Sequence, residues 1–138
     1  MRLADMCAVT LALTALQLLT GMPELSHLDL TSNSFDADSA QLLAPGLMQL
    51  HKLQELRLGM NQWGVAGLET LLTPLQGHAS LKALDVSYVL LAGGVRALLP
   101  VLVGMRALQR LCVSLRSNEC PTQQVSAALP KVHVTFCR

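Results

Sequence analysis

The side chains that could bind a metal or attack a substrate are few in this sequence and widely spaced. They are the histidines and cysteines at His27, His51, His78, His133, Cys7, Cys112, Cys120 and Cys137. A zinc site is typically built from close pairs such as C-x-x-C or H-E-x-x-H, and neither pattern occurs. Cys112, Cys120 and His133 could be imagined as ligands, but they do not follow such spacing. We therefore predict no metal site and no cofactor.

Motifs for nucleophilic catalysis and phosphate binding are also missing from the sequence. Nothing resembles the G-x-S-x-G turn that exposes a nucleophilic serine. Gly93 and Gly94 open a predicted helix, but they lack the lysine and hydroxyl that a phosphate-binding loop requires. We predict that the chain is not an enzyme and has no catalytic residue.

Composition limits the class of protein and its partners. Of the 138 residues 51% are hydrophobic, 14% are charged and 3% are aromatic, which is typical of one folded domain with an aliphatic core. The formal net charge of +1 gives no general attraction to nucleic acid or to an anionic membrane, so neither is predicted as a partner. The cysteines do not look like a disulfide framework, so we interpret them as reduced thiols and the location as cytoplasmic.

A short leucine pattern recurs four times along the chain. The copies "LSHLDLTSNSF", "LQELRLGMNQW", "LKALDVSYVLL" and "LQRLCVSLRSN" begin at Leu25, Leu53, Leu81 and Leu108, so the steps are 28, 28 and 27 residues. The middle of each copy alternates aliphatic with other residues, which predicts a short strand with one buried face. The predicted inward triplets are Leu25, Leu28 and Leu30; Leu53, Leu56 and Leu58; Leu81, Leu84 and Val86; and Leu108, Leu111 and Val113.

The segments between these strands have the spacing of helices. Leu43, Leu47 and Leu50 recur at i, i+4 and i+7, and similar faces follow in "GVAGLETLLTPLQGH" and "GGVRALLPVLVGM". Strand, helix and parallel strand form a right-handed crossover, so the predicted fold class is α/β with a parallel sheet. The prolines at Pro45, Pro74 and Pro100 predict helices that are short, kinked or ended near them.

The period and the pattern L-x-x-L-x-L-x-x-N resemble the leucine-rich repeat family over nearly the whole chain. Repeats of 28 residues with a full helix are similar to the ribonuclease-inhibitor-like subclass, which includes the NOD-like receptors and the Ran GTPase-activating protein. The resemblance implies a solenoid arc with strands on the concave face and helices on the convex face. It divides the chain into a truncated repeat (1–24), three full repeats (25–52, 53–80 and 81–107) and a last repeat with its cap (108–138).

The resemblance also assigns a role to the asparagine of the pattern. Asn33 and Asn61 hold the position where the family bonds backbone groups of the turn with a side-chain amide. Val89 and Arg116 hold it in the later copies, so a looser turn is expected there. Phe35, Trp63 and Leu91 share a second column, which predicts that Trp63 belongs to the core.

The two ends of the chain differ. "CAVTLALTALQLL" resembles the apolar part of a signal peptide, but Asp5 lies in the region that should be basic and no clear cleavage site follows. Because the 28-residue register extends back to Leu19 and Met22, we interpret the stretch as a helix and predict self-association through this uncapped end.

At the other end, Pro121 precedes a predicted helix through Leu129. A terminal strand follows, with Val132, Val134 and Phe136 alternating. Chains of NOD-like receptors and ribonuclease inhibitor end in a similar way, so the sequence is interpreted as a C-terminal fragment or isoform of a larger protein. Cys112 on the fourth strand and Cys137 on this one are the two cysteines that could be close.

The alternation of the strands also predicts which side chains face outward on the concave side. Successive columns read His27, Glu55, Ala83 and Arg110; Asp29, Arg57, Asp85 and Cys112; and, at the edge, Ser32, Met60, Tyr88 and Leu115. Arg57 should lie between Asp29 and Asp85. The predicted partner-binding residues are His27, Asp29, Glu55, Arg57, Met60, Asp85, Tyr88 and Arg110. The alternative is a charge ladder within the sheet that binds nothing.

The function that this sequence favours is a non-enzymatic module that binds another protein. Two further classes stay open. A GTPase-activating protein of the Ran type would carry the acidic tail of that family, which is absent here. The substrate receptor of a ubiquitin ligase would need an F-box or similar adaptor-binding segment, and none is visible.

Overall fold

The computed structural model describes residues 8–89, 94–114 and 122–137, in which helices and strands alternate. The helices are α1 (Ala8–Thr20), α2 (Ala37–Met48), α3 (Gly64–Leu72), α4 (Leu99–Gly104) and α5 (Thr122–Ala128). The strands are β1 (His27–Asp29), β2 (Glu55–Arg57), β3 (Ala83–Val86), β4 (Arg110–Ser114) and β5 (His133–Cys137). The sequence predictions that involve Asp5, Cys7, Leu91, Gly93, Leu115, Arg116, Cys120 and Pro121 lie outside the described residues.

The strands of the described part form one parallel sheet in chain order, β1-β2-β3-β4-β5. The α/β class is confirmed. Equivalent residues of the repeats face one another, so that Leu28 pairs with Leu56, Leu56 with Leu84 and Leu84 with Leu111. The register of the sheet therefore follows the steps of the sequence repeat.

The predicted triplets supply the inner face of this sheet. Leu53, Leu56 and Leu58 are fully buried, whereas Leu25 and Leu28 are half-buried because β1 is an edge strand. Leucines of the helices, such as Leu43, Leu47, Leu68 and Leu71, belong to the same hydrophobic core. Strands and helices thus bury their apolar faces against each other, and α2 packs between α1 and α3.

The three prolines act in three different ways. Pro45 lies inside α2, and the helix ends three residues later at Met48, near the proline as expected. Pro74 lies in a 3₁₀ turn, Thr73–Leu75, directly after α3 ends. Pro100 lies in the first turn of α4, where a missing backbone N–H costs nothing because that group has no partner within the helix.

The turns after β1 and β2 are organised by the predicted asparagines, Asn33 and Asn61. The amide nitrogen of Asn61 donates to the carbonyl groups of Leu30, Leu58 and Gly59 at 2.7, 3.1 and 3.1 Å. Its oxygen accepts the backbone N–H groups of Asn33 and Phe35 at 2.9 and 3.0 Å. In the third repeat the position holds Val89, which packs against the core instead.

Trp63 is a core residue, as its column predicts. It is 1% exposed and stacks on Phe35 with ring centroids 5.2 Å apart. Its indole N–H donates to the carbonyl oxygen of Leu58 at 2.8 Å, which satisfies the one polar group of the ring.

The predicted helix near the N terminus is α1, which packs against α2 and buries Ala12 and Leu19. Its other side keeps Leu13 and Leu18 45% and 62% exposed. Among residues 8–89, 94–114 and 122–137, no helix combines the length and apolar character that crossing a bilayer requires.

Candidate functional site

The face of the sheet that points away from the core carries two columns of side chains, and we call it the open sheet face. One column consists of His27, Glu55, Ala83, Arg110 and His133. The other consists of Asp29, Arg57, Asp85, Cys112 and Thr135. Strand alternation places them there, because the residues between them belong to the core.

Glu55 lies at the centre of the charged groups on this face. Its Oε1 accepts a hydrogen bond from Nε of Arg57 at 2.6 Å. Its Oε2 lies 3.9 Å from Nη2 of Arg110 and 4.0 Å from Nε2 of His27. The Glu55 side chain is 20% exposed, compared with 52% for Arg57 and 69% for Arg110. A single, partly sheltered carboxylate therefore bonds Arg57 and lies within ion-pair distance of Arg110.

Arg57 lies between Asp29 and Asp85 in the register, as predicted. Its close partner is nevertheless Glu55. Nη1 of Arg57 is 3.8 Å from Oδ2 of Asp29, too far for a hydrogen bond. Hydrogen bonding to Glu55, followed by the charge of Glu55, raises the pKa of the Arg57 guanidinium.

The two aspartates stabilise the ends of their strands instead. Oδ1 of Asp29 accepts the backbone N–H of Thr31 at 2.9 Å, and Oδ1 of Asp85 accepts that of Ser87 at 2.8 Å. Hydrogen bonds from the side chain and the backbone of Thr31 lower the pKa of Asp29. Such bonds two residues along the chain are typical of aspartate in turns.

A depression of about 290 Å³ opens in the middle of the open sheet face. Its position follows from Ala83, whose neighbours in the column are the much longer Glu55 and Arg110. The depression is lined by Glu55, Arg57, Ala83, Leu84, Asp85, Arg110, Leu111, Cys112, His133 and Thr135. It therefore has a small-residue floor and a charged rim.

Met60 and Tyr88, the remaining predicted residues, lie beyond the ends of β2 and β3. Together with Ser32 they have left-handed backbone, with φ of 53°, 52° and 60°. Met60 is 53% exposed, and its sulfur accepts the hydroxyl of Ser32 at 3.2 Å. Tyr88 is half-buried. These two side chains border the open sheet face and do not line the depression.

Two outward residues of β5 were not among the predicted partner-binding residues. His133 faces Arg110 and Thr135 faces Cys112, so both columns continue onto the last strand. The signal was present in the sequence, because Val134 and Phe136 alternate inward and the residues before them must point outward.

Cys112 and Cys137 are offset in the sheet. Cys112 faces Thr135, whereas Cys137 faces Ser114, two residues further along. Strand spacings place such diagonal Cα atoms about 8 Å apart. A disulfide needs Cα atoms within about 7 Å, so the register supports the prediction of reduced thiols for this pair.

Across residues 8–89, 94–114 and 122–137, no group of three His, Cys, Asp or Glu side chains is arranged to hold a metal ion. His78 has a structural contact instead. Its Nδ1 accepts the backbone N–H of Leu81 at 3.1 Å, so Nε2 carries the proton and donates to the carbonyl oxygen of Leu50 at 2.8 Å.

Comparison with known proteins finds a similar fold but no matching family. The chain matches no protein-family model and no curated protein. Among solved structures it is similar to one described as leiomodin-1 actin-binding site 2, with a TM-score of 0.75 and 16% sequence identity. The similarity covers 93% of this chain and 75% of that one. At this identity it shows a shared α/β fold with a parallel sheet.

Proposed function

We propose that the chain is a leucine-rich repeat array of the ribonuclease-inhibitor-like type, related in architecture to the C-terminal repeats of NOD-like receptors. In this proposal the strands line the concave side of an arc and the helices its convex side. Two observations support it. The strands pair in chain order at the sequence period, and Asn61 bonds the turn of the preceding repeat at the same position that the family pattern reserves for asparagine.

The function of this array is to bind another protein through the open sheet face, in the cytoplasm. The observation that carries the proposal is the collection of charged and polar side chains on one face, around a depression, where none of them belongs to the hydrophobic core. Arginine and tyrosine are frequent anchors of protein interfaces, and Arg57 and Tyr88 lie on and beside this face.

A charge ladder that serves stability alone is the competing account. Exposed ion pairs contribute only about 0–1 kcal/mol each, because water screens them and the long side chains lose rotamer freedom. The pairs of Glu55 with Arg110 and His27, at 3.9 and 4.0 Å, are of this weak kind. These ion pairs therefore add little to the free energy of unfolding, and stability alone does not explain so many charged groups on one surface.

The similar solved structure gives one defined ligand to test. Its description names an actin-binding site, so actin, monomeric and filamentous, belongs in the first binding assays. The two alternative functions have their own assays. A Ran-type activator would accelerate GTP hydrolysis by Ran, and a ubiquitin-ligase receptor would retain a Skp-type adaptor.

The experiment compares three forms of the whole chain as bait in a pull-down. They are the unchanged protein, the double variant Arg57→Ala with Tyr88→Ala, and the control Arg96→Ala, which removes an exposed arginine in the 3₁₀ turn Gly94–Leu98 before α4. We expect a partner that the unchanged protein and the control retain. The double variant should bind it more weakly by about 2 kcal/mol or more.

Stability decides how a loss of binding is interpreted. The free energy of unfolding of the double variant should lie within about 1 kcal/mol of that of the unchanged protein, because neither side chain belongs to the core. Unchanged affinity in the double variant would move the binding site to the helices or the rims. A large loss of stability would favour the charge ladder.

A further inference from the structure

The geometry points to the ligand class of the depression: we infer that it receives an acidic side chain, the aspartate or glutamate of a partner polypeptide, between Arg57 and Arg110. The inference rests on the proposed function, since it assumes that the open sheet face binds a protein. It goes further by assigning the charge of the group that enters at Ala83.

The space for such a group comes from the alanine. Across the sheet, Ala83 lies between Glu55 on β2 and Arg110 on β4. A volume of about 290 Å³ is enough to admit a side chain of a partner.

Unused hydrogen-bond donors surround this space. A guanidinium has five N–H donors, and Arg57 uses its Nε for Glu55. In the described part of the chain, the side chain of Arg110 makes one long ion pair of 3.9 Å with Glu55 and no hydrogen bond. Both arginines line the depression and face the same carboxylate, so a group that enters the depression can meet donors of either one.

Each acidic group of the rim already accepts one hydrogen bond. Oε1 of Glu55 accepts from Arg57, and Oε2 lies near Arg110. Oδ1 of Asp85 accepts the backbone N–H of Ser87. A cationic ligand would have to compete with Arg57 for Glu55. An anionic ligand could instead accept hydrogen bonds from the unused N–H groups of both arginines. The unused donors of the two arginines thus favour an acidic occupant.

The test uses three fluorescently labelled peptides of equal length, with glycine alternating with glutamate, glutamine or lysine. Fluorescence polarisation with the whole chain should show binding of the glutamate peptide, weakened by added salt. The glutamine peptide should bind at least about tenfold more weakly, which corresponds to the loss of one charge-assisted hydrogen bond. Lysine-peptide binding that equals or exceeds glutamate-peptide binding would overturn the inference.

Matched variants locate the binding. Arg110→Gln should lower the affinity for the glutamate peptide about tenfold or more. Arg106→Gln, which removes an exposed arginine away from this face, should leave it within about twofold. Equal losses in the two variants would show a general charge effect and overturn the inference. So would the absence of glutamate-peptide binding up to about 1 mM.

A second pair of variants tests the depression itself. Ala83→Leu should fill the depression and weaken binding of the glutamate peptide. Ala83→Ser should leave both the depression and the binding unchanged. Trp63 fluorescence monitors folding, because this buried ring is the one tryptophan of the sequence. Weak binding in a folded Ala83→Leu variant supports the inference, and full binding in that folded variant contradicts it. If Ala83→Leu does not fold, the decision rests on Arg110→Gln.

The pull-down separates this inference from the proposed function. If a recovered partner depends on Arg57 and Tyr88 but binds Arg110→Gln normally, the open sheet face binds a protein and the acidic subsite is wrong. If no partner depends on Arg57 and Tyr88, the proposed surface itself fails.

Discussion

The side-chain oxygen of Asn61 accepts the backbone N–H of Asn33, the residue at the same position one repeat earlier, at 2.9 Å. The two asparagines are 28 residues apart in the chain. The same oxygen also accepts the N–H of Phe35, so one side chain satisfies two donors of a neighbouring turn. Asn61 therefore joins two repeats through their backbones.

This contact predicts a large effect of Asn61→Ala on stability. The residue is 3% exposed, and its loss leaves the backbone N–H groups of Asn33 and Phe35 without their acceptor, each costing about 1–3 kcal/mol. We expect the free energy of unfolding to fall by about 3 kcal/mol or more, measured by urea denaturation. Asn33→Ala is the control, because the side-chain amide of Asn33 donates to Leu30 and Thr31, both in its own turn. Equal losses in the two variants would contradict a special role for Asn61.

Asp36 is expected to make stability depend on pH. It caps α2 by accepting the N–H of Ser39 at 2.9 Å, while the Ser39 hydroxyl accepts the N–H of Asp36 at 3.3 Å. Asp36→Ala should cost about 1 kcal/mol near neutral pH. Asp38→Ala, which alters an exposed acid in the first turn of the same helix, should cost less.

The sign of this pH effect follows from the pKa of Asp36. Hydrogen bonds from the backbone and side chain of Ser39 lower the pKa below its ordinary value of 3.8. A lowered folded-state pKa means that the contribution is present above the unfolded-state pKa and disappears as pH falls through the folded-state pKa. Melting curves of the unchanged protein and Asp36→Ala should therefore converge as pH falls from 5 to below 3. A gap that stays constant with pH would show that the charge is irrelevant.

The exposed side of α1 is expected to promote self-association, which the sequence also predicts. Leu18 is 62% exposed there, close in the chain to Met22 at 50%. Leu18→Gln should lower the association measured by light scattering at increasing concentration. Val103→Gln is the matched control, since Val103 is an aliphatic residue on α4 that is 54% exposed. A chain that is monomeric before either change would refute this prediction.

The offset of Cys112 and Cys137 predicts that they stay unlinked to each other. Non-reducing digestion and mass spectrometry of protein purified without reductant should find no Cys112–Cys137 peptide. Thr135→Cys provides a positive control, because residue 135 directly faces Cys112 in the register. Recovery of a Cys112–Cys137 disulfide would contradict the observed pairing of β4 with β5.

The repeat allowed much of the fold to be predicted, because burial forces aliphatic residues into fixed positions. The triplets of the strands, the core position of Trp63 and the last strand all follow from alternation and period. The path of the helix through Pro45 does not. Whether a helix ends at a proline depends on the packing around it, and the period of the sequence contains no information on that packing.

The sequence predicts which residues share the open sheet face, but it does not predict which of them contact one another. Alternation places Glu55 and Arg57 on one face, yet the nearest partner of an arginine depends on rotamers that the pattern does not determine. His78 illustrates the same limit. It is half-buried and bonds the carbonyl oxygen of Leu50, a contact that its position in the sequence does not indicate.

The constant pairing register has a consequence for how such a chain can change in length. A duplicated copy of residues 53–80 would place a second Glu55, Arg57 and Asn61 beside the first, and every backbone partner would find an equivalent. Each duplication would widen the sheet by one strand, about 4.8 Å, without redesign of its neighbours. A single inserted residue within a strand would instead turn its aliphatic side chains toward water. Gain and loss of whole units is therefore the tolerated route by which unequal recombination could tailor the width of this surface to a partner.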